Sequence, residues 1–199
     1  MTSTRKISSG LDRSEVIPKL FGDPSDFLII AGLAGAAKDI GALAREAPNT
    51  FLFGGAMGGA TMTGLGLALA QPDRRVVVVT GDGDLLMSIG SLATIGIMKP
   101  KNLAVVCVDN ELYGETGSQA THTGQGVDLR VVASGCGIPV THEVTNEADI
   151  AQAARLLRQS NSPVFILLKV NGNPPPPYRR NWHAHESKSA FRHALLGKR

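Results

Sequence analysis

Short oxygen-bearing side chains follow two apolar segments in the middle of the chain. Asp82 lies in a Gly-Asp-Gly turn after the run at residues 75–80, and Asn110 follows the run at residues 103–109. Both runs are typical of buried parallel strands. Because ligands bind beyond the carboxyl ends of such strands, we expect both side chains to reach one site. Mg²⁺ takes oxygen ligands at about 2.0–2.1 Å, shared with phosphate oxygens, so the pair predicts a metal-anchored diphosphate site.

The segment after Asp82 supports the same interpretation. A helix is predicted to begin after Gly83, and its free N–H groups would carry about half a positive charge towards the same sheet edge. On its own, Gly-Asp-Gly is also explained by a tight turn between a strand and a helix. A second oxygen ligand at the end of the next strand favours the binding site.

A glycine cluster, Gly-Gly-Ala-Met-Gly-Gly at residues 54–59, is a second candidate for ligand contact. Glycines allow the backbone to approach a flat ligand closely, and Met57 adds a bulky, adaptable side chain. Ordinary packing between a strand and a helix explains this cluster equally well.

Alternation of apolar runs and helical segments predicts the fold. The predicted strands are residues 26–32, 50–55, 75–80, 103–109, 138–143 and 163–170. The predicted helices are residues 12–21, 35–47, 58–70, 85–98, 128–136, 147–160 and 186–196. This order indicates an α/β protein in which helices cover both faces of a parallel sheet. Residues 111–127 are predicted to be a long loop, and we expect it to be functional because it follows Asn110 directly.

Composition narrows the classes of partner and location. Of the residues, 43% are hydrophobic and 19% charged, as in a globular protein, and no apolar run approaches the roughly 18 residues of a membrane span. The polar N-terminus lacks a signal-peptide core. The net charge of +3 arises from the C-terminal tail, so we expect neither a nucleic-acid nor a membrane partner. Two cysteines without metal-cluster spacing indicate reduced thiols and a cytoplasmic location.

Three segments together resemble a known family. GGAMGGATMTGLGLALA, VVVVTGDGDLLMSIGSLATIG and NLAVVCVDNELYGETG are similar to the cofactor-binding (PP) domain of thiamine-diphosphate-dependent enzymes, most of all to β subunits of sulfopyruvate and phosphonopyruvate decarboxylases. The resemblance covers about residues 27–170. It implies the thiamin diphosphate-binding fold over residues 26–171, after an N-terminal segment with a short helix (1–25) and before an extended Pro-rich linker and basic tail (172–199).

The resemblance also implies two cofactors, thiamine diphosphate and Mg²⁺. The side chains of Asp82 and Asn110 and the backbone carbonyl of Leu112 would bind the metal. Met57 would support the bend of the organic cofactor. The full set of implied cofactor-binding residues is Gly55, Ala56, Met57, Gly58, Gly81, Asp82, Gly83, Asp84, Asn110, Leu112, Tyr113 and Gly114.

Two residues depart from the family pattern, and one more is a candidate for catalysis. Asp109 stands where the first Asn of a pair is usual, and Asp84 where Ser or Gly is frequent. A carboxylate beside a diphosphate is unfavourable unless it points away or binds a donor. In the loop, His122 is a candidate for proton transfer, with a solvated histidine as the alternative.

The resemblance implies a missing part as well. The Glu that activates thiamine diphosphate comes from a separate PYR domain, so we expect a small PYR-domain α subunit and a hetero-oligomer with at least two of each chain. The chain would be the β subunit of a 2-oxoacid decarboxylase, a lyase active only with its partner on a small 2-oxoacid. The alternatives are a two-chain carboligase or synthase, a 2-oxoacid oxidoreductase subunit, and a non-catalytic subunit that binds the cofactor.

Overall fold

The computed structural model describes residues 10–45, 47–179 and 181–197. The strands are β1 (Leu28–Ala31), β2 (Thr50–Leu52), β3 (Val76–Gly81), β4 (Leu103–Asp109), β5 (Leu112–Tyr113), β6 (Gln119–Ala120), β7 (Val140–Val144) and β8 (Val164–Lys169). The α-helices are α1 (Arg13–Phe21), α2 (Gly35–Ala44), α3 (Gly59–Ala70), α4 (Asp82–Leu86), α5 (Ser91–Met98), α6 (Leu129–Gly135), α7 (Glu147–Gln159) and α8 (Ala184–Leu196). The first nine residues of the predicted N-terminal segment, and residues 180, 198 and 199 of the predicted tail, lie outside the described residues.

Six parallel strands form the central sheet in the order β2-β1-β3-β4-β8-β7. Strands β3 and β4 lie in its middle, and almost all their residues are buried because helices cover both faces. Their alternating side chains fill two cores, one against α1, α2 and α7 and the other against α3, α5 and α6. The predicted α/β fold with a parallel sheet between helices is confirmed.

One predicted helix is wrong in its extent. Residues 85–98 form two helices, α4 and α5, separated by a turn at residues 87–90. The turn contains short-range bonds, from the N–H of Met87 to the carbonyl of Asp84 and from that of Ser88 to that of Leu85. Ser88 and Gly90 both have low helix propensity, which favours the break here.

The predicted long loop at residues 111–127 has its own structure. Strands β5 and β6 pair antiparallel, and a short 3₁₀ helix, Thr123–Gln125, follows them. Gly117 and Ser118 make the turn between the strands with φ of 116° and 59°. The hairpin returns the chain to the ends of β3 and β4, so the residues after β6 lie beside the candidate site.

The C-terminal segment folds back over the domain. Residues 172–177 form neither a helix nor a strand, and Tyr178 packs on α2 so closely that a Cβ at Gly41 would lie 2.2 Å from its ring. Helix α8 follows and brings Phe191 to within 6.1 Å of Phe51, measured between ring centroids. Over the described residues, every helix is too short or too polar to cross a membrane.

Candidate active site

A cavity of about 390 Å³ opens beyond the carboxyl ends of β3 and β4. Its volume lies within the range of roughly 300–1,000 Å³ that is usual for small-molecule sites. The segment 172–175 and the β1–α2 turn form parts of its wall. Among the residues predicted to bind the cofactor, those that line the cavity are Met57, Gly81, Asp82, Gly83, Asp84, Asn110, Leu112, Tyr113 and Gly114.

Asp82 is a buried carboxylate held by hydroxyl groups. Only 1% of the residue is exposed, and the hydroxyl of Thr121 donates to its Oδ2 atom. The hydroxyl of Thr123 lies 3.1 Å from the same oxygen. Burial, and then the charge of Asp109, raise the pKa of Asp82 to about 6. No Lys, Arg or His of the described chain forms an ion pair with Asp82, so its charge is available to a bound cation.

Asp109, one position before Asn110, has a different environment. Lys169 lies 2.9 Å from its Oδ2 atom, and the hydroxyl of Thr123 donates to its Oδ1 atom over 2.8 Å. The two neighbouring carboxylates therefore differ in their counter-charge: Lys169 neutralises Asp109, whereas the side-chain partners of Asp82 are hydroxyl groups.

The turn that follows β4 carries Asn110 and Leu112. The N–H of Glu111 donates to Asp109 Oδ1 over 3.0 Å, and the N–H of Leu112 lies 3.3 Å from Asn110 Oδ1. Glu111 has a φ of 63°, in the left-handed region that non-glycine residues seldom adopt. This tight turn places both Asn110 and Leu112 on the wall of the cavity.

Glycines leave room at the floor of the cavity. A Cβ at Gly83 would lie 2.4 Å from the ring of Tyr113, so a side chain at that position would displace that ring. At Gly81 and Gly114, a Cβ would meet no atom within 4 Å. Backbone at these positions can therefore approach a ligand closely.

The side chain of Asp84 holds three segments together. It accepts hydrogen bonds from the N–H of Gly58 (2.6 Å), the hydroxyl of Thr80 (2.8 Å) and the N–H of Leu33 (3.3 Å). The carboxylate thus has donors, which removes the objection to an acidic residue beside a diphosphate. It fixes the glycine loop, the end of β3 and the β1–α2 turn relative to one another.

Some predicted site residues do not line the cavity. Gly55 and Ala56 are exposed and Gly58 is half-buried; they belong to the loop that carries Met57 to the rim. His122 is exposed, and it is its neighbours Thr121 and Thr123 that contact Asp82. The proposed proton-transfer role of His122 therefore has no support from its position.

Several residues of the site were not predicted from the sequence. Thr121 and Thr123 are separated by one residue, a spacing that can place two hydroxyls on one side of an extended segment. Lys169 is a charged residue at the end of the apolar run of β8, which marks it as unusual. Arg13 also lines the cavity, but its buried guanidinium forms an ion pair with Asp39.

The donor set defines the kind of cation that fits. No group of three or more His, Cys, Asp or Glu side chains within the described ranges could hold a metal by itself. A cation at Asp82 would need the amide of Asn110, backbone carbonyls and oxygens of a ligand to complete its shell. Such an all-oxygen site, shared with a phosphate, fits Mg²⁺.

Comparison with known proteins places these features in a family. Residues 34–168 match the family model described as "Thiamine pyrophosphate enzyme, C-terminal TPP binding domain". The chain is 41% identical over 126 residues to the sulfopyruvate decarboxylase subunit beta of Methanocaldococcus jannaschii. The matched region covers 63% of this chain and 66% of that one. It is 38% identical over 168 residues to the subunit of the same name from Methanothermobacter thermautotrophicus, with 84% and 86% covered.

Longer relatives match over only part of their length. The phosphonopyruvate decarboxylase of Streptomyces viridochromogenes is 36% identical over 147 residues, which are 74% of this chain and 36% of that enzyme. The solved structure of the thiamine diphosphate-dependent 4-hydroxybenzoylformate decarboxylase of Rhodococcus jostii RHA1 superposes with a TM-score of 0.70 at 19% identity. That match covers 87% of this chain and 35% of that one and shows a shared fold.

Proposed function

The chain belongs to the thiamine pyrophosphate enzyme family through its C-terminal TPP-binding domain, and on that premise we propose that it is the cofactor-binding β subunit of a heteromeric 2-oxoacid decarboxylase. The observation that carries the proposal is the environment of Asp82. This carboxylate is buried at the end of a central strand, lacks a counter-charge among the described residues and shares its cavity with Asn110.

The residues present fit thiamine diphosphate with Mg²⁺. The Asp82 carboxylate, the Asn110 amide and the Leu112 carbonyl would hold the metal, and backbone at Gly81 and Gly83 would lie against the diphosphate. When bound, thiamine diphosphate supplies an electron sink for the loss of CO₂ from a 2-oxoacid.

The chain's own residues bind and orient the cofactor. The hydroxyl of Thr121, which donates to Oδ2 of Asp82, fixes the direction of the carboxylate and would preorganise it as a metal ligand. Met57, at the rim of the cavity, would support the cofactor between its two rings. Val108 and Leu112 line the wall and would exclude water from the reacting end.

A partner chain that supplies the activating Glu completes the proposal. The relatives named subunit beta support such a partner. The match to phosphonopyruvate decarboxylase supports it too, because it covers about a third of that enzyme and leaves the rest for a second domain. The outer faces of α3 and α5 are uncharged and expose Met62, Leu69 and Ile97. Exposed apolar surface of this kind is typical of protein interfaces, here next to the loop of Met57.

The substrate, assembly and location are proposals of the same kind. A small 2-oxoacid with a second anionic group, such as sulfonate or phosphonate, is the substrate class that the relatives' names support. We expect a lyase built from at least two copies of each chain. Two free cysteines, Cys107 and Cys136, are consistent with a reducing, cytoplasmic location.

The proposal is tested by reconstitution. The chain would be purified alone and together with a PYR-domain protein encoded beside it, and CO₂ release from sulfopyruvate, phosphonopyruvate and pyruvate would be measured with thiamine diphosphate and Mg²⁺. We expect negligible turnover by the chain alone and turnover by the mixture. Full activity of the isolated chain would refute the divided site, and a carboligation product would favour a synthase.

A further inference from the structure

Lys169 forms ion pairs with Asp109 and Glu111, the two residues that flank Asn110. It is the last residue of β8 and lies opposite Asp109 in the parallel pairing with β4. Its ammonium group is 2.9 Å from Asp109 Oδ2 and 2.7 Å from Glu111 Oε1. Lys169 does not line the cavity, so it would not contact a ligand there, and only its two partners connect it to the wall.

The turn that Lys169 holds contains a strained residue. Glu111 has a φ of 63°, and such conformations persist in non-glycine residues only where surrounding contacts hold them. Its N–H donates to Asp109 Oδ1 over 3.0 Å, and its carbonyl accepts from the N–H of Thr121 over 2.9 Å. The ion pair with Lys169 adds a third contact, made by the side chain.

Lys169 also provides the charge that the buried Asp109 requires. Only 1% of Asp109 is exposed, and a buried carboxylate is costly without a partner. Burial by itself lowers the pKa of Lys169, but its bonds to Glu111 and Asp109 outweigh that effect and raise it. The lysine therefore stays charged at neutral pH.

We infer that Lys169 is a positioning residue for the metal-binding turn. By holding Asp109 and Glu111 on either side of Asn110, it fixes the directions in which Asn110 and Leu112 are presented to a cation. The inference rests on the proposed function, since Asn110 and Leu112 are metal ligands only in that proposal.

Removing Lys169 has two opposing effects on cation binding. Loss of a positive charge near the site favours a cation, whereas loss of alignment in the turn disfavours it. Lys169 does not line the cavity, so the loss of its charge acts on a cation from a distance, whereas the loss of alignment acts on the ligands themselves. Loss of residues that orient metal ligands typically lowers metal affinity by about 10–100-fold. We therefore expect the loss of alignment to dominate.

Calorimetric titration of the full chain with thiamine diphosphate, at a series of Mg²⁺ concentrations, tests the inference. Lys169→Met should weaken the apparent Mg²⁺ affinity by about 10–100-fold. The double variant Lys169→Met/Asp109→Asn should recover most of it, because the introduced amide keeps an acceptor oxygen and needs no counter-charge. Lys19→Met, which removes an exposed ion pair with Glu147 outside the lining of the cavity, is the matched control and should bind as the wild type does.

The outcomes separate the inference from the function on which it rests. If the wild-type chain binds thiamine diphosphate with Mg²⁺ neither alone nor together with its PYR-domain partner, the proposed function fails. If the wild type binds and Lys169→Met binds equally well or more tightly, or if the double variant recovers nothing, the positioning role is overturned. If Lys169→Met does not fold, Glu111→Gln is used instead, because it weakens the Glu111–Lys169 ion pair and leaves the Asp109–Lys169 pair intact. Unchanged Mg²⁺ affinity in that variant also overturns the inference.

Discussion

Replacing Asp82 with Asn should stabilise the cofactor-free chain while abolishing its binding of Mg²⁺ and thiamine diphosphate. The amide keeps the shape of the side chain and an oxygen that can accept from Thr121. It removes only the charge, which is buried beside Asp109 without a cation among the described residues. The variant therefore separates the cost of the charge in the free protein from its use in the complex.

The size of the effect follows from the pKa of Asp82, which burial and the Asp109 charge raise from 3.8 to about 6. The position of the Thr123 hydroxyl is consistent with the raised pKa. The hydroxyl lies within hydrogen-bond distance of both Asp82 and Asp109 but has a single proton to donate. A protonated Asp82 can donate to it in return. About two pKa units at 1.36 kcal/mol each correspond to roughly 3 kcal/mol.

The sign is set by which state binds the proton more tightly. Between pH 3.8 and about 6, the folded chain holds a proton that the unfolded chain has lost, so stability falls as the pH rises through this window. At pH 7.5 the wild type bears the full cost and Asp82→Asn bears none. We expect the variant to be more stable by up to about 3 kcal/mol at pH 7.5, with the difference vanishing near pH 4.

Urea unfolding of the cofactor-free chain at pH 4, 5, 6 and 7.5 measures this difference. Asp73→Asn, an exposed carboxylate in the turn before β3, is the control and should follow the wild type at every pH. Added Mg²⁺ and thiamine diphosphate should raise the stability of the wild type and leave Asp82→Asn unchanged. Parallel pH profiles for the wild type and Asp82→Asn would refute the idea of an uncompensated buried charge.

Two further substitutions test the scaffold of the site. Asp84→Ala removes the acceptor for Gly58, Leu33 and Thr80. We expect the free energy of unfolding, measured in urea, to fall by about 3 kcal/mol. A fall below about 1 kcal/mol would show that the three segments do not depend on Asp84. Gly83→Ala should displace the ring of Tyr113 and weaken thiamine diphosphate binding, as measured by calorimetry. Gly66→Ala is the control, because a Cβ at that position meets no atom within 4 Å. Equal binding by both variants would contradict the close contact between Gly83 and Tyr113.

Much of the fold could be predicted because it depends on patterns that are local in sequence. The apolar runs of β3 and β4 alternate with helical segments, and each run ends in a polar residue. Parallel strands share an edge, so Asp82 and Asn110 could be placed together without knowledge of the strand order. The break between α4 and α5 was missed because apolar residues continue through it, and only Ser88 and Gly90 mark the turn.

The β5–β6 hairpin could not be predicted from periodicity. Each of its strands has two residues, too few for an alternating pattern, and the sequence between them is rich in small polar residues. Its register, with Leu112 opposite Ala120, determines where the following residues lie. The contact of Thr121 with Asp82 is a consequence of that register, so the sequence indicated a functional loop without indicating which residues would face the site.

Lys169 shows why strand order matters for the chemistry of this site. Strand β8 is the last strand in the chain, yet it lies between β4 and β7 and places Lys169 opposite Asp109. An acidic residue at position 109 is tolerated because this crossover supplies its counter-charge. Without Lys169 opposite it, Asp109 would be a second buried carboxylate beside Asp82 with no counter-charge from β8. Strand order thus gives Asp109 a counter-charge within the protein, whereas the charge of Asp82 is left, in the proposed function, for a bound cation.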